Sequence, residues 1–404
     1  MASIAVGEVR SRGGGRWVRV RARIAAAAVV LSGLPISIMA APPAAAAPGT
    51  FAYVANTLSD NVSVIDTSTN TVTTTIFVGN APRDVAVNRA GTFAYVTRAA
   101  ADQVSVIDTS TNTVTTTVNV GDGPQGVAVN QAGTRVYVAN SNSDNVSVID
   151  TSTNSVTATI PVGDAPEELA VNQAGTRVYV ANTNSDNVSV IDTSTNTVTA
   201  TVPVGDAPSD VAVNPAGTRV YVANTTSDNV SVIDTSTNTV TATVLVGDGP
   251  RGVAVNPAGT LVYVANADSG DVSVIDTSTN TVTATIPVGV GLTGVALNPA
   301  GTLVYVTNTL SNNVAVIDTS TNTVTATVPV GTFPQGLDVA ATPGSSTADC
   351  PLGSVITGGG FEITGPPASN LVSKPVDDSW EVSLTNESTE PITFTPYAVC
   401  APTP

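Results

Sequence analysis

Histidine is absent from all 404 residues. Its absence removes the side chain most often used near neutral pH as general base, metal ligand or haem ligand. Lysine occurs once, at Lys374, and tryptophan twice, at Trp17 and Trp380, so the body of the chain has no indole platform for stacking sugars. Cysteine is confined to Cys350 and Cys400. Basic residues are few, 14 Lys and Arg against 31 Asp and Glu, for a net charge of −17. A surface of that sign repels nucleic acid and anionic lipid. No window carries a helical period, and beyond the N-terminal segment no apolar run is long enough to span a bilayer.

The N-terminal segment differs from the rest of the chain. "MASIAVGEVRSRGGGRWVRVRAR" holds six arginines, and "IAAAAVVLSGLPISIMA" comes next as a moderately apolar run broken by Gly33 and Pro35. "APPAAAAPG" then supplies the small residues that a signal peptidase accepts. Residues 1–46 are therefore expected to be a signal peptide, cut after Ala46, that sends the chain out by general secretion. No membrane span is expected after cleavage. The remaining chain would carry eight basic and thirty acidic residues, a net charge of −22. A lone cysteine pair in an exported chain reads most simply as a disulfide, Cys350 to Cys400. Closing a loop of that size contributes roughly 4 kcal/mol in an unstrained domain.

Between these ends the chain repeats itself. Tyr53, Tyr95, Tyr137, Tyr179, Tyr221, Tyr263 and Tyr305 recur every 42 residues without insertion or deletion. "VIDTSTN" recurs in step, with its aspartate at Asp66, Asp108, Asp150, Asp192, Asp234, Asp276 and Asp318. Each unit holds four short runs rich in Val, Ile, Thr and Tyr, such as "GVAVN", "RVYVAN", "NVSVID" and "TVTATIPV", separated by turn residues. Four antiparallel strands per unit make a propeller blade.

The units are out of phase with the ends of the repeat region. The first "AYVAN" lacks a "GVAVN" before it, and the last copy, "GLDVA" at Gly336–Ala340, lacks a "YVAN" after it. The two terminal segments are expected to share one blade, sealing a seven-bladed ring over residues 49–342 and leaving no open edge to aggregate. Pro161, Pro203, Pro287 and Pro329 mark the fourth strand as the outer edge, because proline cannot donate to a ladder. The fold expected is all-β: a seven-bladed β-propeller of four-stranded antiparallel blades plus a small C-terminal β-domain with one disulfide at 343–404.

The motifs "YVAN", "YVTN" at Tyr305–Asn308, "VIDTSTNTVTATIPVG" and "VAVNPAGT" resemble the YVTN family of β-propeller repeat proteins. The resemblance covers about 49–342. It implies a seven-bladed propeller that is secreted or displayed at a cell surface, similar to surface-layer propellers, and supplies no catalytic set. The unit containing Tyr95 departs from the pattern, with Arg98 in place of the usual asparagine.

Several motifs invite sharper readings. "GVGLTG" at Gly289–Gly294 matches a dinucleotide fingerprint, but the segment after it reads as a strand where that fingerprint needs a helix. "DTSTN" alternates oxygen-bearing side chains like a calcium loop, yet lacks the glycine and closing carboxylate, so an Asx turn is expected. A symmetric hairpin would place Arg135 opposite Asp150, Arg177 opposite Asp192 and Arg219 opposite Asp234 as exposed pairs. The residue before the innermost strand is the position that varies: Arg83, Gln125, Glu167, Ser209, Arg251, Thr293 and Gln335. These seven are the candidate ligand-facing mouth of the central channel, with Asp84, Glu168 and Asp210 beside them and Asp338 as an anomaly in the last inner strand.

From these observations the expected role is a secreted or cell-surface binding and interaction scaffold for a protein or a cell-wall component. The alternative is a structural surface-layer or wall-associated part. A propeller enzyme, lyase or lactonase-like, ranks last, since no histidine is present and the repeat tyrosines sit mid-strand. No cofactor or metal is called for by any residue pattern.

Overall fold

The structure is a computed structural model, and it describes residues 49–342, 354–364, 369–376, 379–385 and 393–402. The expected signal peptide at 1–46 and the Cys350–Cys400 pairing lie outside the described residues. Two compact units divide the chain, one over 45–345 and the other including 346–404. Among the described residues every regular element is a strand, and no helix is long and apolar enough to cross a membrane.

The larger unit is a seven-bladed propeller. Six blades run in chain order over Pro82–Asn119, Pro124–Pro161, Pro166–Pro203, Pro208–Leu245, Pro250–Pro287 and Leu292–Pro329, each a four-stranded antiparallel sheet. In that order they are blades 1 to 6. Blade 7 is built from both ends: the strand Pro334–Thr342 pairs with Gly49–Asn56, which leads to Asn61–Asp66 and Thr71–Phe77. In that seam Val54 faces Leu337, Tyr53 faces Asp338 and Ala52 faces Val339. The seam is packed as well as hydrogen-bonded. Tyr305 of blade 6 lies in one buried cluster with Ala52, Val54, Ile65, Leu337 and Val339.

The cores lie between blades rather than within them. Tyr179, for example, is fully buried with Val188, Val190 and Val202 of its own blade and Val211, Val220, Val222 and Ile233 of the next. Seven such clusters close the ring. Burying each of these aliphatic side chains contributes about 1.5–3 kcal/mol. The tyrosines are thus structural, with hydroxyls such as those of Tyr137 and Tyr179 buried in the interior.

The turns obey local chemistry. Asp66 Oδ1 accepts from Ser68 N at 2.8 Å and Ser68 Oγ at 2.7 Å, and Asn70 adopts φ 53°. This is the Asx turn expected of "DTSTN". The Arg135–Asp150 register is present as expected, but the guanidinium does not end there. Arg135 Nη1 donates to Thr193 O at 2.9 Å and Arg177 Nη1 to Thr235 O at 2.8 Å, so these arginines clamp each blade to the next. "GVGLTG" runs into the strand Leu292–Leu297. The smaller unit contains two antiparallel pairs, Ser354–Thr364 with Thr393–Pro402 and Ser369–Val376 with Ser379–Thr385.

Candidate functional site

One irregularity, repeated seven times, builds the channel mouth. In blade 1 the inner strand pairs Pro82 with Arg98 and then Val85 with Val96, so Arg83 and Asp84 together oppose Thr97 alone. Equivalent register shifts occur at Gln125–Gly126, Glu167–Glu168 and Thr293–Gly294, each pair opposing one residue of the second strand. A bulge of this kind breaks the alternation that sends neighbouring side chains to opposite faces. Two consecutive residues of the inner strand consequently reach the channel in six blades, and in blade 2 Gln125 alone of the pair does. A cavity of about 370 Å³ results, lined by all seven varying positions and by Asp84, Glu168, Asp210 and Asp338.

The seven expected mouth residues do not act alike. Ser209 is buried and its Oγ donates to Arg251 O at 2.9 Å. Thr293 Oγ1 exchanges hydrogen bonds with the hydroxyls of Thr307 and Thr309 at 2.9 and 2.8 Å. Both serve blade junctions. Glu167 accepts from Thr183 Oγ1 at 3.0 Å and feels the positive charges of Arg251 and Arg83. Burial still pushes its carboxyl above the usual glutamate range. Arg83, Gln125, Arg251 and Gln335 line the same cavity.

The next level inward carries the distinctive chemistry. Around the ring it reads Asp84, Gly126, Glu168, Asp210, Gly252, Gly294 and Gly336, three carboxylates among four glycines. Asp84 Oδ2 accepts from Val127 N at 3.0 Å, and Asp210 Oδ2 accepts from Val253 N at 2.7 Å, each stitching its blade to the following one. Glycine is needed where these oxygens lie. A Cβ at Gly126 would sit 2.2 Å from Glu168 Oε2, and one at Gly336 would sit 2.1 Å from Asp84 Oδ1.

Burial raises the pKa of Asp84 to about 7, with repulsion from Asp210 and Asp338 adding to it and the Val127 and Val85 amides opposing it. Asp210 also rises to about 7, chiefly by burial. Glu168 is held well above the ordinary glutamate value by burial and then by the charges of Asp84, Asp210 and Glu167. Like charges confined together cannot all ionise, so near neutrality this level holds protonated and ionised carboxyls side by side. Asp338 accepts from Val87 N at 2.8 Å, and burial raises it too. It bridges blade 7 to blade 1.

Such a site defines a class: a closed propeller whose channel is lined by buried carboxyls with raised pKa. A family model described as "Lactonase, 7-bladed beta-propeller" matches residues 44–159 and 193–288, more than half of the chain. The chain belongs to this family of seven-bladed lactonase propellers. Among solved structures it is similar to a hydrazine synthase chain of Kuenenia stuttgartiensis, with 23% identity and a TM-score of 0.58 over 63% of this chain and 88% of that one. It is similar also to a functionally unknown protein from Desulfotomaculum acetoxidans DSM 771, with 18% identity and a TM-score of 0.64 over 72% and 99% of the two chains. At these identities the likeness concerns the fold. No curated protein matches the sequence significantly.

Family membership corrects two expectations. The binding or interaction scaffold, with its surface-layer alternative, gives way to an enzyme-type propeller, and the expectation that the chain is not an enzyme falls with it. The inference from missing histidine failed for a physical reason. A carboxyl buried beside other carboxyls reaches a pKa near 7, so missing imidazole does not by itself exclude acid–base chemistry. Asp84, Glu168 and Asp210 stand beside the mouth positions in the sequence, where variation between blades points to their neighbours instead. The signal that marks them is the pair of consecutive polar residues, "RD", "EE" and "SD", entering an otherwise alternating apolar strand.

Proposed function

We propose that the chain is a hydrolase acting on lactones at the channel level formed by Asp84, Glu168 and Asp210. The observation that carries this reading is the grouping of three carboxyls with raised pKa over a glycine-opened channel, in a chain of the lactonase propeller family. An ionised carboxylate, Asp84 or Asp210, removes a proton from water as it attacks the lactone carbonyl. The tetrahedral oxyanion is stabilised by the Arg83 and Arg251 guanidiniums at the mouth; Arg83 Nε is buried with no acceptor of its own. Collapse breaks the ring acyl C–O bond, and protonated Glu168 donates to the leaving alkoxide, releasing a hydroxy acid. Each proton transfer of this kind contributes about 10²–10⁴-fold.

The propeller is read further as one of YVTN-type repeats, exported by its N-terminal signal and followed by a C-terminal β-domain closed by Cys350–Cys400. The repeat motifs and the lone cysteine pair support that reading.

The test is hydrolysis of unsubstituted γ- and δ-lactones by the purified chain and by Asp84→Asn, Glu168→Gln and Asp210→Asn. We expect kcat to fall at least about 100-fold in Glu168→Gln. Hydrolysis that is undiminished in all three variants, or absent from the wild type, contradicts the proposal.

A further inference from the structure

The channel changes character below the carboxylates. Three residues further along each inner strand every blade places an aliphatic side chain, from Val87 in blade 1 through Leu297 in blade 6 to Val339 in blade 7. From Val129 to Leu297 these side chains are only half-buried, their remaining surface facing the channel. One level above, six blades have alanine and the seventh has Asp338. A second cavity of about 400 Å³ opens here, between Val171, Val213, Val255, Leu297 and the prolines Pro257 and Pro299. It shares Ala170, Val171, Val253, Val295, Leu337 and Asp338 with the carboxylate cavity, so the two are continuous.

The side-chain polar groups in this lower cavity are already engaged. Asp338 Oδ2 accepts from Val87 N and its Oδ1 from Val339 N, both at 2.8 Å. Asn298 Oδ1 accepts from Thr302 N and Leu303 N at 2.9 and 3.0 Å, and its Nδ2 donates to Thr302 Oγ1 at 3.0 Å. A polyhydroxylated ring entering this space would find few free side-chain partners to replace its water, a loss for every stranded hydroxyl. A hydrocarbon chain gives up nothing polar and covers half-exposed Val and Leu surface.

Building on the lactonase reading, we infer that the substrate is a lactone bearing an aliphatic chain. Its ring sits among Asp84, Glu168 and Asp210, and its chain runs down the channel against Val129, Val171, Val213, Val255 and Leu297. The three-residue descent from carboxylates to aliphatic ring is about 10 Å. Each methylene that reaches this surface should strengthen binding about two- to fourfold, since full burial of one is worth about fourfold. The gain should level off at roughly eight carbons, where the chain passes the aliphatic ring.

Two series test this separately from the hydrolase reading. The first is kcat/KM for γ-lactones with 4-alkyl groups from methyl to decyl. The second is calorimetric binding of 2-alkylcyclopentanones of the same lengths, which cannot be hydrolysed. Both are repeated with Val213→Thr/Val255→Thr, which keeps side-chain volume while placing two hydroxyls in the lumen. A rise with chain length in both series that flattens in the variant supports the inference. A rise in ketone binding without any lactone turnover leaves the chain-binding site standing and removes the hydrolase reading. Ketone binding that is independent of chain length, or undetectable, overturns the inference whether or not lactones are hydrolysed.

Discussion

Replacing Asp84 by asparagine should stabilise the protein at pH 8 and leave its stability nearly unchanged at pH 4. The carboxyl of Asp84 has a folded pKa of about 7 against an ordinary value of 3.8. Between those values the native state holds a proton that the unfolded chain has released, so stability falls as pH rises through the interval and is level outside it. An upward shift of about three pKa units corresponds to about 4 kcal/mol in a fully dry site, and channel water reduces this to about 2–4 kcal/mol. Asparagine keeps an acceptor for the Val127 amide while removing the charge. For a ring of this size, about 2 °C of melting temperature accompanies each kcal/mol. Thermal melts in 0.15 M salt at half-unit pH steps should therefore show Asp84→Asn melting some 4–8 °C above wild type at pH 8, converging with it near pH 4. The exposed turn aspartates act in the opposite sense. Asp150, Asp192, Asp234, Asp276 and Asp318 are lowered first by their serine hydroxyl bonds, so their stabilisation is lost as pH falls below the ordinary aspartate range. Wild-type stability should accordingly peak near pH 4–5, at roughly the ordinary Asp and Glu values. A difference between Asp84→Asn and wild type that is the same at pH 5 and pH 8 would refute the assignment of a raised pKa to this carboxyl.

The geometry implies four further outcomes. Arg98→Asn should raise stability by about 1 kcal/mol in urea melts, because Arg98 occupies the position where asparagines such as Asn140 donate to Ser147, and it leaves Ser105 Oγ buried without a partner. Asn182→Ala should cost about 2–3 kcal/mol by the same assay, since the Asn182 amide donates to both Asn187 Oδ1 and Ser189 Oγ in a buried site. Gly126→Ala should lower kcat on a simple lactone by at least about tenfold, since the new Cβ displaces Glu168 Oε2; circular dichroism should report an intact fold. Leu337→Asp should lower the melting temperature more than the same change at an exposed site such as Leu245, because a buried charge in the seam opposes ring closure.

The ring was legible because it rests on periodic, local information. A 42-residue spacing without gaps, a "GVAVN" missing at one end and supplied at the other, and prolines on one strand leave few architectures open. The turn chemistry of Asp66 and Asn70 was equally readable, being decided within five residues. What the sequence concealed depends on register. Counting alternation along "PRDVAV" sends Arg83 and Asp84 to opposite faces, whereas the bulge opposite Thr97 turns both into the channel. The partner of Arg135 was hidden for a related reason, because Thr193 lies 58 residues away and comes near only when blades stack. The channel carboxyls are hard to pick out in the sequence because their raised pKa values arise from collective burial, which no single position displays.

The most direct test of the account is the pH dependence of kcat/KM for an unsubstituted γ-lactone in wild type and Glu168→Gln. A channel acid and base predict a bell whose rising limb lies near pH 7, with activity in Glu168→Gln depressed and the falling limb lost. Superimposable profiles in the two proteins, of equal height, would contradict it.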